Sequence, residues 1–197
     1  MANCSGIFQN EEIDCTNPLS VGVIQRALIA NRDDVASITY SIVAGEENVV
    51  TGITMKSGKQ FFEFEGVNES ISWQEELVRR PTSNGYKMTL DLSVFGVGNS
   101  SLLNMMAMAY KPQIAIVYGV DDTSLENGAF SLLGVDVGLD LLTNIRIPSS
   151  VETGGASVLQ LATPDTGGDE KILAPVIWST DYQTTLALVN ALLIPII

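Results

Sequence analysis

From Tyr86 to Val94 apolar and polar side chains alternate without a break, with Tyr86, Met88, Leu90, Leu92 and Val94 on one side and Lys87, Thr89, Asp91 and Ser93 on the other. Strand side chains point to opposite faces in turn, so this run reads as a strand with one face on a core and one in water. Ser70 to Val78 carries Ile71, Trp73 and Leu77 and reads as its partner. Pro81 and Asn84-Gly85 make the connection, Asn-Gly being favoured where φ must be positive. The pair is a long hairpin with a polar tip, Arg79 to Asn84, and its length exceeds what a compact domain needs.

Most of the remaining chain also has strand composition. Val23 to Ala30 (VIQRALIA) suits a strand or a helical turn, and Asn31-Arg32-Asp33-Asp34 stops it. Ile38 to Val43 reads as a strand, with a turn at Gly45 to Asn48. Val49 to Met55 and Gln60 to Glu65 flank Ser57-Gly58-Lys59, which reads as a hairpin turn. Asn99-Ser100-Ser101 is a cap signal for a helix from about Leu102 to Tyr110. Its Leu102, Leu103, Met105, Met106 and Met108 are too apolar all round for a surface helix, which favours a core position. Strands are expected at Gln113 to Tyr118, Ala129 to Leu133 and Leu139 to Ile145, and a last sheet strand at Ala156 to Thr163. A Gly/Asp-rich linker (Pro164 to Glu170) then leads to Ile172 to Trp178. From Thr180 to Leu193 the spacing of Tyr182, Leu186, Val189 and Leu193 is helical, with Thr180 or Asp181 as cap. The expected fold is mostly β (α+β), a β domain over 1–163 with a lead-in at 1–22. A linker and an apolar C-terminal arm follow at 164–197.

Composition narrows the chemistry. The 197 residues contain no histidine, the commonest general base and metal ligand. The net charge of −13 and a single basic doublet, Arg79-Arg80, argue against binding to a phosphate backbone. Cys4 and Cys15 lack the spacing and partners of a zinc site, and a disulfide between them is geometrically open. There is no basic-then-apolar leader, and the longest apolar stretch, Leu186 to Ile197, is broken by Asn190 and Pro195 and is too short to span a bilayer. The expectation is a soluble intracellular product with no membrane partner.

The residues that invite a catalytic or metal reading fail on inspection. Gly58-Lys59 lacks the upstream glycine and the Ser/Thr of a phosphate-cradling loop. Asp121 to Gly128 is acidic, but Leu125 stands where a calcium loop needs an oxygen ligand. Asp136 and Asp140 are closely spaced carboxylates on a Gly-bent segment, without a pocket-building pattern around them. The serines have no histidine to activate them. No enzyme, cofactor or metal is expected.

The N-terminal pair MANC…DC, the segment VIQRALIAN, the stretch GITMKSGKQFFEFE, the hairpin, the methionine-rich helix and the late GVDVGLDL together resemble tail-tube-like structural proteins of phages and prophages of Bacteroidetes, crAss-like phages among them. The resemblance spans Ala2 to Thr163. It implies a tail-tube-like β-sandwich or barrel with a projecting hairpin and one helix packed outside the sheet. It further implies a virion subunit of the tail tube or the head–tail (tail-barrel) connection, assembled in the host cytoplasm. Copies would form a homo-oligomeric ring by continuing one sheet into the next, contact other tail or connector proteins, and pass DNA through the lumen without specific binding. The implied contacts are Arg79, Arg80 and Asn84 at the hairpin tip, and Leu186, Leu193 and Ile197 on an arm that fills a neighbour's groove. A capsid decoration or host-surface binding module is the competing expectation.

Overall fold

The computed structural model describes residues 23–43, 46–66, 70–79, 84–95, 98–119, 129–149, 154–165 and 168–195. Among these residues eleven strands form two sheets: β1 (Val23–Asn31), β2 (Val35–Tyr40), β3 (Val49–Met55), β4 (Phe62–Glu65), β5 (Ile71–Arg79), β6 (Asn84–Val94), β7 (Gln113–Gly119), β8 (Phe130–Leu133), β9 (Asp140–Arg146), β10 (Ser157–Ala162) and β11 (Val176–Ile177). Helices α1 (Asn99–Met108) and α2 (Tyr182–Ala191) complete a mixed, mostly β fold. One sheet has seven strands in the order β2-β3-β11-β8-β7-β1-β4, and the other has four in the order β5-β6-β10-β9.

The seven-stranded sheet curls strongly. Four strands lie between β1 and β2, yet only a three-residue 3-10 turn, Arg32–Asp34, joins them. Five strand spacings in a flat sheet span about 24 Å, whereas four residues of chain reach at most about 14 Å. The edges are thus drawn toward each other, but β2 and β4 do not pair among the described residues, so no barrel closes. The curl also corrects the expected hairpin at Ser57-Gly58-Lys59. Gly58 does make a turn, at φ +72°, but β3 pairs with β2 and β11 while β4 pairs with β1. The turn carries the chain from one side of the sheet to the other edge.

Two cores result. Leu28 and Ala30 of β1, Ile114, Ile116 and Tyr118 of β7, and Phe130 and Leu132 of β8 face the hollow of the curl. Ala27 and Ile29, Ala115 and Val117, and Leu133 face the four-stranded sheet. β1 and β7 are therefore buried on both sides, which is why their sequences read as continuous apolar runs. In the four-stranded sheet Met88, Leu90 and Leu92 of β6 and Leu159 and Leu161 of β10 point inward, as the alternation predicts. The hairpin register pairs Ile71 with Leu92 and Arg79 with Asn84.

The C-terminal segment is not an arm. β11 lies inside the seven-stranded sheet, parallel to β3 and antiparallel to β8, so β10 is not the last strand. α2 fills the hollow: Val189 and Leu192 are buried, with Leu186 and Leu193 packed against the same cluster. The groove that the resemblance assigns to a neighbour is the chain's own. The helix begins as expected, with Asp181 accepting the Thr184 N–H at 2.8 Å. Strand β2 starts and ends earlier than expected, at Val35 and Tyr40.

The helix α1 departs from expectation in three ways. Its N-cap position is Gly98, and no side chain caps it. It lies on the inner side of the four-stranded sheet, where Met105 and Met108 join the core between the sheets, not outside it. Only that stripe is buried; Leu102, Leu103 and Met106 are exposed.

Candidate assembly surface

Both edges of the four-stranded sheet are open. β5 and β9 each pair on one side only among the described residues, so each presents a free row of N–H and C=O groups. Neither contains proline. β9 carries Ile145 at 57 % exposure and a half-exposed Leu142, with Ile147 just beyond it. Leu77 of β5 is 48 % exposed. The edges of the seven-stranded sheet are the four-residue β4, with Phe62 exposed, and β2, with Ile42 and Val43 exposed just beyond it.

The hairpin does not project freely, as was expected of it. Tyr86 and Glu170 exchange backbone hydrogen bonds at 2.8 and 3.0 Å, and Glu75 accepts the Ala174 N–H at 3.0 Å. Of the expected tip contacts, Arg79 and Asn84 face each other as the last described pair, and Arg80 lies outside the described residues, as does Ile197. Leu186 and Leu193 are partly buried against the chain's own core. Cys4 and Cys15 also lie outside the described residues.

The tie on the hairpin is built around a buried carboxylate that the sequence did not announce. Glu170 is fully buried and accepts the N–H groups of Asp136, Val137 and Gly138 at 2.7, 3.0 and 3.3 Å. Asp136 returns the contact, accepting the Lys171 N–H at 2.9 Å. Burial pushes the Glu170 carboxyl above its ordinary value, with the Asp136 charge adding to it, against the three N–H donors. The lock joins the crossing between the two sheets, residues 134–138, to β6 and the C-terminal segment. Asp136 is engaged in this lock, and Asp140 sits opposite Ala162 at the start of β9.

Inside the curl, Arg26 ion-pairs with Glu63, donates to Asn190 Oδ1 at 3.2 Å and lies 4.7 Å from the centre of the Tyr118 ring. The Tyr118 hydroxyl is buried without a hydrogen-bond partner, and burial pushes its pKa up to about 12. It stays protonated at neutral pH. Among the described residues no three His, Cys, Asp or Glu side chains are grouped to hold a metal ion. Nor is any helix there long and apolar enough to cross a membrane.

The outer face of the four-stranded sheet is polar over β5 and β6 and carries apolar residues, Val158, Leu142 and Ile145, toward β9. A shallow groove of about 230 Å³ there is lined by Gln74, Glu76, Lys87, Thr89 and Gln160 with Leu142 and Ala162. Lys87 is paired with Asp165 at 2.7 Å, and Gln160 donates to Asp91 at 2.9 Å. No family model, curated protein or solved structure matches this chain.

Proposed function

We propose that the chain is a virion structural subunit that joins copies of itself head to tail into a ring around a DNA channel, in a phage tail tube or head–tail connection. The observation that carries this reading is the open four-stranded sheet. It is antiparallel throughout, so with four strands β5 and β9 run in opposite directions. A copy set beside the first by rotation about the ring axis offers its β5 antiparallel to β9, and the sheet continues unbroken. Such a joint is heterologous, and it makes a ring where the rotation closes.

The polar β5–β6 part of the outer face suits a channel wall. Its lone lysine is neutralised by Asp165, Glu76 and Asp91 add negative charge, and the chain as a whole carries −13. DNA would slide past such a wall instead of adhering to it. The test is negative-stain electron microscopy of the purified protein with its mass measured in solution. Rings or stacked tubes with a central hole are expected; a monodisperse monomer at every concentration overturns the reading.

A further inference from the structure

Among the described residues the outer flank of α1 is uncovered. Met105 and Met108 hold one side of the helix on the core. Leu102, Leu103, Met106 and Tyr110 lie on the other side, Met106 at 58 % and Tyr110 at 81 % exposure. At 100° per residue these four fall within one arc turned away from the buried pair. The helix has no charged residue, and its polar residues, Asn99, Ser100, Ser101 and Asn104, do not include any of these four. α1 also lies against β9, the free edge, while a small pocket lined by Phe62, Asn104 and Ala107 marks its opposite side.

We propose that this flank is an interface for a second copy of the chain, whose β5 and underlying segment cover it. The inference rests on the ring reading and adds a second layer to the joint. Leu77 pairs with Tyr86 and Trp73 with Leu90. Directly opposed residues share a face, so Leu77 and Trp73 point to the inner side of their sheet, the side on which α1 lies under β9. Among the described residues nothing covers Leu77, which is half-exposed there, and Leu173, beside the Ala174 N–H that binds Glu75, is exposed as well. When β5 of one copy pairs with β9 of the next, these side chains are carried over that copy's α1. The free apolar flank and the uncovered underside then meet, and each is buried by the contact that extends the sheet.

Two variants test this. Met106→Glu sits on an exposed helical site, so the thermal midpoint of the unassembled chain is expected to stay unchanged. The concentration needed for assembly should rise about tenfold or more, the effect of losing one well-packed apolar contact. Met106→Cys with Leu77→Cys, in a background carrying Cys4→Ser and Cys15→Ser, should give a ladder of covalent oligomers on oxidation. Wild-type assembly that Met106→Glu leaves unaltered overturns the α1 contact while leaving the ring reading in place. Covalent dimers from Met106→Cys alone show that two α1 flanks meet each other, and also overturn it. A wild-type chain that never assembles overturns both.

Discussion

The two helices are the same length, neither carries a charge, and they are used in opposite ways. α2 is capped by Asp181 and closes the hollow of the curled sheet, with Val189 and Leu192 in the core. α1 has no side-chain cap, gives two methionines to the core and leaves the rest of its apolar surface open. Composition does not distinguish a plug from a docking face. Among the described residues, the apolar side chains of α2 pack on the core while Leu102, Leu103 and Met106 of α1 stay exposed.

Removing the plug should have the largest effect. Deleting 186–197 takes Val189 and Leu192 out of the core; at about 2–5 kcal/mol for truncating such a buried aliphatic, the loss is comparable to the whole stability of a domain, about 5–15 kcal/mol. The expected result is loss of the cooperative thermal transition by circular dichroism. An intact transition would mean that the helix adheres to a core already complete without it.

Glu170→Ala comes next. It leaves three backbone N–H groups without their acceptor and frees the hairpin from the sheet crossing. We expect about 3 kcal/mol of destabilisation in urea, since each orphaned buried donor costs about 1–3 kcal/mol and the turn can partly open to water. The same residue gives a pH signature. Its folded pKa lies above the unfolded value, so the folded state holds the proton longer, and Glu170's contribution to stability falls as pH rises through that window. Glu170→Gln removes this dependence. The stability difference between Glu170→Gln and wild type should shift toward the variant as pH rises from the unfolded carboxylate value toward neutrality; a constant difference would mean that Glu170 is ionised throughout.

Asp181→Ala should lower the melting temperature of the whole chain modestly through α2. Hydrogen bonds from the Thr184 N–H and hydroxyl hold the Asp181 carboxyl below its ordinary value. Its contribution is therefore present above the unfolded pKa and lost as pH falls through the folded one, and the gap between wild type and variant should close in acid. The smallest effect on stability is expected at α1. Met106→Glu should change the free energy of unfolding by no more than about 0.5 kcal/mol, although the same change is expected to disrupt assembly. A large loss of stability would place Met106 in the core and erase the contrast between the helices.

Particular elements show where the sequence was sufficient. The alternation of Tyr86 to Val94 gave a strand, its buried face and its hairpin partner, because period-two patterning has one structural solution. A cap at Thr180 or Asp181 was legible, because a short polar side chain placed before a helical repeat can reach a first-turn N–H; the structure uses Asp181. By contrast, Ser57-Gly58-Lys59 was legible as a turn but not as a crossing, since a turn sequence specifies a local reversal and says nothing of which strand lies beyond. β11 is two residues long, too short to show a period. Glu170 looked like one more acid in a polar linker. Only the fold brings the 136–138 backbone over it, and nothing in its neighbours announces that it will be buried.

By itself, then, the sequence determined the strand-rich class, the hairpin, both helices and the want of a histidine-based chemistry. All of these follow from local periodicity and composition. The tertiary structure decided the order of strands, the curl, the return of the C-terminal segment into the core and the two edges left free. These depend on which apolar faces meet across long stretches of chain, where loop closure adds little free energy per added residue and packing makes the choice. The apolar residues of α1 and α2 are equally averse to water; only the placement of the sheets settled which of them the chain could cover with its own residues.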